Sequence, residues 1–403
     1  MAAKGPKKGS TMRRFGAVRR YRSGRWTASY LDPAGERQRA PKTFDSKTDA
    51  EVWLSQMEAD LTRGDWRDPD AGAVNFREYA AEWVEDREIS PTTEELYRRL
   101  LRLHLLPTFG GQDLDQITPP KVRAWRTERK KATGATTGAK SYRLLKAILE
   151  TAADDELIRR NPCRIKGAGA EKPGERPIAT VAQIDALADA MGPRWRAFVL
   201  LATYGPMRPE ELAELRRSDV ALTAEEAEEL FGPEDEPGVE PLLGVWVRRA
   251  APELTNGRRV IGDPKSKAGK RFIVLPAFLE KDLRRHLDWY TQKGPDGLLF
   301  VGERGAPFRR STFGRKWRRA LIVAGLPKGF RLYDTRHTGH NISTRSGATL
   351  KDTMVRAGQS SEKAAMIYQH SEVERQREVA AGIDASVRAA RARASGANLV
   401  RKP

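Results

Sequence analysis

A tyrosine set at a distance behind an arginine–histidine pair is the feature of this sequence best suited to covalent chemistry. Arg336 and His337 lie in the run Tyr333-Asp-Thr-Arg-His-Thr-Gly, and Tyr368 stands 32 positions beyond Arg336 in Met-Ile-Tyr-Gln-His. A tyrosine hydroxyl is a weak nucleophile at its ordinary pKa of ~10. Cations beside it lower that pKa, and the same cations bind an anionic target such as a phosphodiester. Two further groups upstream fit that use. Arg208 follows Gly205-Pro-Met and precedes Pro209-Glu-Glu, which puts it at a helix entrance with Pro209 as the first helical residue. There a guanidinium and backbone N–H groups converge on one anion. An ion pair with Glu211 is the plainer reading, and the two are compatible, since Glu211 would hold the guanidinium for a phosphate. Lys265 and Lys267 sit on a turn, Asp263-Pro-Lys-Ser-Lys-Ala-Gly269, between the strand-like runs Gly244–Arg248 and Arg271–Leu275. A lysine on such a turn is ordinarily just solvated, but it could also protonate a leaving oxygen as a general acid.

The bulk composition narrows the partner. The 403 residues carry a formal net charge of +19, which calls for a polyanion, either nucleic acid or an anionic membrane surface. The membrane reading has no support. The longest apolar run, Ala197 to Tyr204, falls well short of the ~20 residues a spanning helix needs. The N-terminus, MAAKGPKKGS, has no apolar stretch of the kind that directs secretion. Cys163 is the only cysteine, which excludes a disulfide framework within the chain and a cysteine-rich zinc site. The five histidines, His104, His286, His337, His340 and His370, show no metal-binding spacing. The expectation is a cytoplasmic, DNA-associated protein that uses no metal and no cofactor.

Three units are expected to position these residues. In residues 1–70, the first 42 positions hold twelve Lys/Arg against Asp32 and Glu36. Strand-like alternation from Phe15 to Phe44 predicts three short strands, and a helix capped by Asp45 or Ser46 follows, with Ala50, Trp53, Leu54, Met57 and Leu61 inward. A basic three-stranded face suits a DNA groove, and Arg19, Arg20, Arg22 and Arg25, interleaved with Tyr21, Trp26 and Tyr30, are the candidate contacts. Residues 73–166 read as a helical bundle. Ser90-Pro91 starts one helix that should stop before Pro107, Thr118-Pro119 starts another, and the last should end before Asn161-Pro162. Its basic outer faces, Lys130 and Lys131 included, suit nonspecific phosphate contact. Residues 167–180, rich in Gly, Pro and charge, read as an interdomain linker. Residues 175–390 form the last unit, with a short helix at Val181–Asp189 and a buried one ending at Tyr204. Residues 221–238, with seven acids and no base, look like an exposed insertion, and 391–403 is a basic tail.

Taken together, YGPMRPEEL, PKSKAGKRFIVLP, YDTRHTG and AGQSSEKAAMIYQH resemble the ordered boxes of the tyrosine recombinase (phage integrase) family, and Gln359 precedes Tyr368 by nine positions, as in that family. The resemblance covers nearly the whole chain. It implies a mainly α fold with small β-sheets in three domains: a β-β-β-α arm-binding domain, a helical core-binding domain and a mixed α/β catalytic domain. It implies a site-specific DNA recombinase in which Arg208 and Arg336 clamp the scissile phosphate, Lys265 protonates the leaving 5′-oxygen and Tyr368 forms a 3′-phosphotyrosyl bond. Tyr333 and Gln359 stand where the family usually has His, and His or Trp. Tyr333 keeps a hydrogen-bonding hydroxyl, while Gln359 donates to an oxygen but is no base. The implied partners are double-stranded attachment sites of arm and core type, three further copies in a tetramer on DNA, a directionality factor and a host DNA-bending protein. The alternative is a catalytically impaired relative that only binds DNA.

Overall fold

The computed structural model describes residues 15–171 apart from 65 and 69, then 176–223, 226 and 243–360. Tyr368, His370, the basic tail and most of the acidic segment therefore lie outside the described residues. The chain divides into two compact units, residues 1–173 and 174–403.

The first unit holds two separate cores. Near its start, β1 (Ala17–Arg20), β2 (Trp26–Leu31) and β3 (Arg37–Arg39) form an antiparallel sheet in that order. Strand alternation sends Ala28 and Tyr30 inward, onto α1 (Lys47–Arg63), whose Ala50 and Leu54 complete the core with Phe44. Ser46 is the cap that starts this helix, its side chain accepting from Asp49 N, and Gly64 ends it in the left-handed conformation. The second core is helical: α2 (Phe76–Glu85), α3 (Pro91–Leu100), α4 (Leu106–Phe109), α5 (Pro119–Thr133) and α6 (Ala135–Asp154) enclose Trp125, Phe109 and Phe76. The helix begun at Ser90-Pro91 does not stop before Pro107. A π-turn over Leu101–Leu105 carries it into α4, with Leu106 N donating to Leu101 O, and this change of register admits Pro107 near the start of α4.

The expected linker is pinned on both flanks. Glu171 pairs with Arg143, and Arg176 makes two bonds to Asp334, at 2.8 and 2.5 Å.

In the second unit, α7 (Val181–Met191) starts at a Thr180/Gln183 capping box, and α8 (Pro193–Tyr204) is buried from Ala197 to Tyr204. After the single turn α9 (Pro209–Leu212), β4 (Val220–Ala221), β5 (Gly244–Val247) and β6 (Arg271–Val274) form an antiparallel sheet in that order. The connection from β5 to β6 is more than one turn. An inner hairpin pairs Ala250 with Gly262 and Glu253 with Arg259, and the lysine turn comes only after it. Asn256-Gly257 is its reversal, a left-handed tip that the sequence reading passed over. The helices α10 (Glu280–Trp289), α11 (Arg310–Val323), α12 (Leu332–Arg345) and α13 (Leu350–Ala357) complete the unit.

Helix α8 is the spine, packed by α7, α10 and α12. Its contact with α12 depends on Gly339, where a Cβ would lie 1.8 Å from the Thr203 carbonyl oxygen. Alanine at 339 gains about 1 kcal/mol of helix propensity but forces two buried helices apart, for which overpacking costs of about 1–3 kcal/mol or more are usual. Gly339→Ala is expected to lower stability by about 2 kcal/mol in urea unfolding. An unchanged midpoint would mean that the helices have room to separate.

Candidate active site

Arg208 ends up where its neighbours dictate. Gly205-Pro206 stops α8, Pro209 starts α9, and Arg208 is the N-cap between them. Glu211, three residues on, returns its carboxylate to the Arg208 backbone N at 2.8 Å and to Nη1 at 2.7 Å. The same carboxylate accepts from Arg271 through Nη1 at 3.2 Å and Nη2 at 3.1 Å. Arg336, at the start of the second turn of α12, is fully buried. Its Nη1 donates to Pro206 O at 2.5 Å, and its Nε has no hydrogen-bond partner among the described residues.

The C-terminus of α13 draws these arginines together. Helix ends leave carbonyls without intrahelical partners and carry partial negative charge. Three consecutive carbonyls there accept from three guanidiniums: Arg356 O from Arg271 Nε at 2.8 Å, Ala357 O from Arg336 Nη2 at 2.6 Å, and Gly358 O from Arg208 Nη2 at 3.2 Å. Arg208 and Arg336, far apart in sequence, thus share one site. Among the described residues, Glu211 is the one carboxylate bonded to the group, and the remaining compensation comes from carbonyl dipoles. Such a site carries excess positive charge and suits a bound anion.

The titration behaviour agrees. Burial alone would push the Glu211 carboxyl up, but Arg271, then Arg208 and Arg336, more than reverse this and hold it below the usual carboxylate range. Burial, with Arg208 next, brings Arg336 down to about 10, so it remains a cation at neutral pH. His340 is buried in α12, and burial, followed by the Arg336 charge, pushes its pKa far down. It is therefore neutral at pH 7.

The other sequence candidates fall around this centre. Tyr333, 37% exposed, meets the His337 ring edge-on with centroids 5.4 Å apart, and its phenol acts electrostatically on both Arg208 and Arg336. Gln359 follows the left-handed cap Gly358, and its side-chain oxygen is buried without a hydrogen-bond partner among the described residues. Lys265 is exposed and makes no hydrogen bond or ion pair among the described residues, as suits a mobile donor. Its turn lies against the end of α13: a Cβ on Gly358 would meet Ala268 O at 2.7 Å and Gly269 Cα at 3.0 Å.

Arg271 is the residue that sequence reasoning missed. In Arg-Phe-Ile-Val, alternation puts Arg271 on the buried side with Ile273, and a buried charge at an inward strand position was the available signal.

In the first unit, Arg19, Arg20 and Arg22 are exposed, with Arg20 lying over the Trp26 ring at 5.8 Å. Arg25 differs: its fork holds Thr43 Oγ1 and Asp45 Oδ1, each at 2.5 Å, and so clips the sheet to the start of α1. Pairing of Arg37 with Leu31 and of Arg39 with Ser29 puts both arginines on the outer sheet face with Arg19. They are a basic pair that the reading of Arg19 to Arg25 left out. Lys130 and Lys131 are exposed in the last turn of α5.

Comparison with known proteins gives the same direction. The family description "Phage integrase, N-terminal domain" matches residues 14–63, and "Phage integrase, N-terminal SAM-like domain" matches residues 75–128. The chain is 39% identical over 376 residues to a Mycobacterium tuberculosis protein described as the integrase of prophage phiRv2, covering 92% of this chain and 95% of that one. It is 30% identical over 380 residues to the integrase of Mycobacterium phage D29, covering 91% and 96%. Among solved structures, the Tn1549 transposon integrase in complex with transposon right end DNA shares the fold at a TM-score of 0.62 and 20% identity, over 76% of this chain and 98% of that one. A lambda integrase dimer bound to a COC′ core site does so at 0.54 and 15% identity, over 91% and 99%. No helix among the described residues is long and apolar enough to cross a membrane. With a relative at 39% identity matched over nearly its full length, and with the helical multi-domain fold and its paired small sheets, the chain belongs to the phage integrase family of tyrosine site-specific recombinases.

Proposed function

We propose that this recombinase cleaves and rejoins DNA strands through a 3′-phosphotyrosyl intermediate formed by Tyr368, and so integrates or excises phage or mobile-element DNA. The observation that supports it is the meeting of Arg208, Arg336 and Arg271 around the single carboxylate of Glu211. A scissile phosphodiester would supply the missing negative charge, and two guanidiniums stabilise the further charge that builds as phosphorus is attacked. In the step itself, Tyr368 Oη bonds to phosphorus and releases its proton to solvent. The bond from phosphorus to O5′ breaks, and Lys265 Nζ delivers a proton to O5′. Attack by a 5′-hydroxyl of the partner strand reverses the sequence and frees the tyrosine. Each step exchanges one phosphoester bond for another, so the exchange needs no nucleotide cofactor. Tyr333 is assigned a hydrogen bond near the clamp, and Gln359 a hydrogen bond to a phosphate oxygen.

Two kinds of DNA contact are proposed, supported by the two separate cores of the first unit: residues 1–70, through Arg19, Arg20 and Arg22, for arm-type sites, and residues 73–166, through Lys130 and Lys131, for core sites. A structural neighbour is a lambda integrase tetramer bound to a Holliday junction, similar at a TM-score of 0.53. The same assembly of four copies is proposed here, with a directionality factor and a DNA-bending protein as partners.

The test is covalent trapping on a nicked core-site duplex, from which the cleaved fragment diffuses away. Wild type is expected to accumulate an SDS-resistant protein–DNA adduct, and Tyr368→Phe none. Absence of adduct with the wild-type protein bound to its DNA would instead support a binding protein that has lost catalysis.

A further inference from the structure

Arg271 donates from all three nitrogens of its guanidinium. It is 6% exposed, and its Nε and both Nη atoms reach three different segments. Nε donates to Arg356 O at 2.8 Å, on the last turn of α13. Nη1 donates to Gly269 O at 2.8 Å, on the lysine turn, and Nη1 and Nη2 both reach Glu211, the acid that holds Arg208. The side chain therefore links the turn that bears Lys265, the carboxylate that orients the clamp, and the helix end that abuts the turn.

We propose that Arg271 is a positioning residue that sets the lysine turn in register with the phosphate clamp. Through it, Lys265 meets the leaving oxygen of the same phosphate that Arg208 and Arg336 hold. This rests on the assignment of Lys265 as general acid made above. Lys265 has no fixed partner among the described residues, so the reach of Nζ is governed by where its backbone is anchored. Two anchors flank it: the Lys270–Asp263 ion pair at 2.8 Å, exposed and weak, and the buried bonds of Arg271. Lysine in place of Arg271 would keep the charge beside Glu211. It would lose the planar fork that reaches Gly269 O, Arg356 O and the carboxylate together. A shift of the turn by about 1 Å is enough to slow a positioned proton transfer roughly 100-fold.

The deciding measurement replaces the 5′-bridging oxygen of the scissile phosphate with sulfur. A thiolate, from a thiol of pKa ~8.5, leaves with the electron pair of the phosphorus–sulfur bond and needs no proton, so a defect in general acid delivery disappears on this substrate while a defect in the clamp persists. Arg271→Lys is expected to cleave the oxygen substrate roughly 100-fold more slowly than wild type, to bind core DNA within about twofold, and to recover to within a few-fold of wild type on the sulfur substrate. Lys265→Ala is the reference and should be rescued in the same way. If Lys265→Ala stays slow on sulfur, the acid assignment falls and the proposal with it. If Lys265→Ala is rescued and Arg271→Lys is not, only the role of Arg271 is overturned. Loss of core-DNA binding by Arg271→Lys would overturn it as well, since the residue would then be general scaffold.

Discussion

Arg208→Ala is expected to slow strand cleavage roughly a thousandfold, about 4 kcal/mol of transition-state stabilisation, with core-site binding held within a few-fold of wild type. The argument is geometric. Arg208 is one donor among many for binding, because the formal charge of +19 spreads phosphate contacts over the chain. In the proposed mechanism it is one of two guanidiniums that hold the phosphate, and Arg336 alone would keep only part of the charge that the transition state needs. Arg208→Lys should recover little, since a single ammonium does not reproduce the bonds to Glu211 and Gly358 O. The measurement is the rate of adduct formation on the nicked substrate beside a gel-shift titration of the same DNA. Equal losses in both would refute a clamp role and make Arg208 an affinity residue.

Glu211→Gln is expected to be the most destabilising change in the second unit that removes no volume. Breaking a buried charge network from one side typically costs about 3–5 kcal/mol, because the charges left behind are desolvated and unbalanced. Here Arg208, Arg271 and Arg336 would face one another around a neutral amide. The loss should depend on pH with a definite sign. The folded pKa of Glu211 is depressed, so its contribution is present above the unfolded carboxylate value of ~4.3 and fades as pH falls through the lower folded value. The gap between wild type and Glu211→Gln in urea unfolding should therefore be widest near pH 7 and narrow below about pH 4. A gap that is constant over this range would show that the carboxylate charge is not what holds the arginines.

Much of the fold was legible because it is written in local signals. Ser46, Ser90 and Thr180 sit at helix starts, Pro91, Pro119 and Pro209 occupy first turns, and the inward stripe of α1 follows helical spacing. The position of Arg208 and its pairing with Glu211 were legible for the same reason: Arg208 stands at a helix entrance whose Pro209 and Glu211 announce it. What escaped depends on contacts distant in sequence. The π-turn at Leu101–Leu105 is a tertiary adjustment around Pro107, and periodicity carries no mark of it. The inner hairpin from Ala250 to Gly262 hides because Asn256-Gly257 is flanked by Thr255 and by Arg258-Arg259 rather than by clean apolar alternation. Arg271 begins a strand just after a basic turn, so its charge reads as part of that turn. Only the structure reveals its partners, Glu211 and Arg356, 60 and 85 positions away. Arg25, by contrast, was read with the other arm arginines although its guanidinium is tied to Thr43 and Asp45.

The arrangement of three arginines on one carboxylate also bears on how this sequence is free to drift. Glu211, Arg208 and Arg271 share bonds, so substitutions among them will not combine additively. Losing the acid first leaves cations in repulsion. Losing Arg271 first leaves Glu211 with Arg208 as its remaining bonded cation. Either single step is expected to cost more than the same change made together with a compensating one, so the three positions are expected to change as a unit. Lineages descended from this chain should change at its exposed basic faces, where one arginine replaces another at little expense, long before they change at this buried triangle.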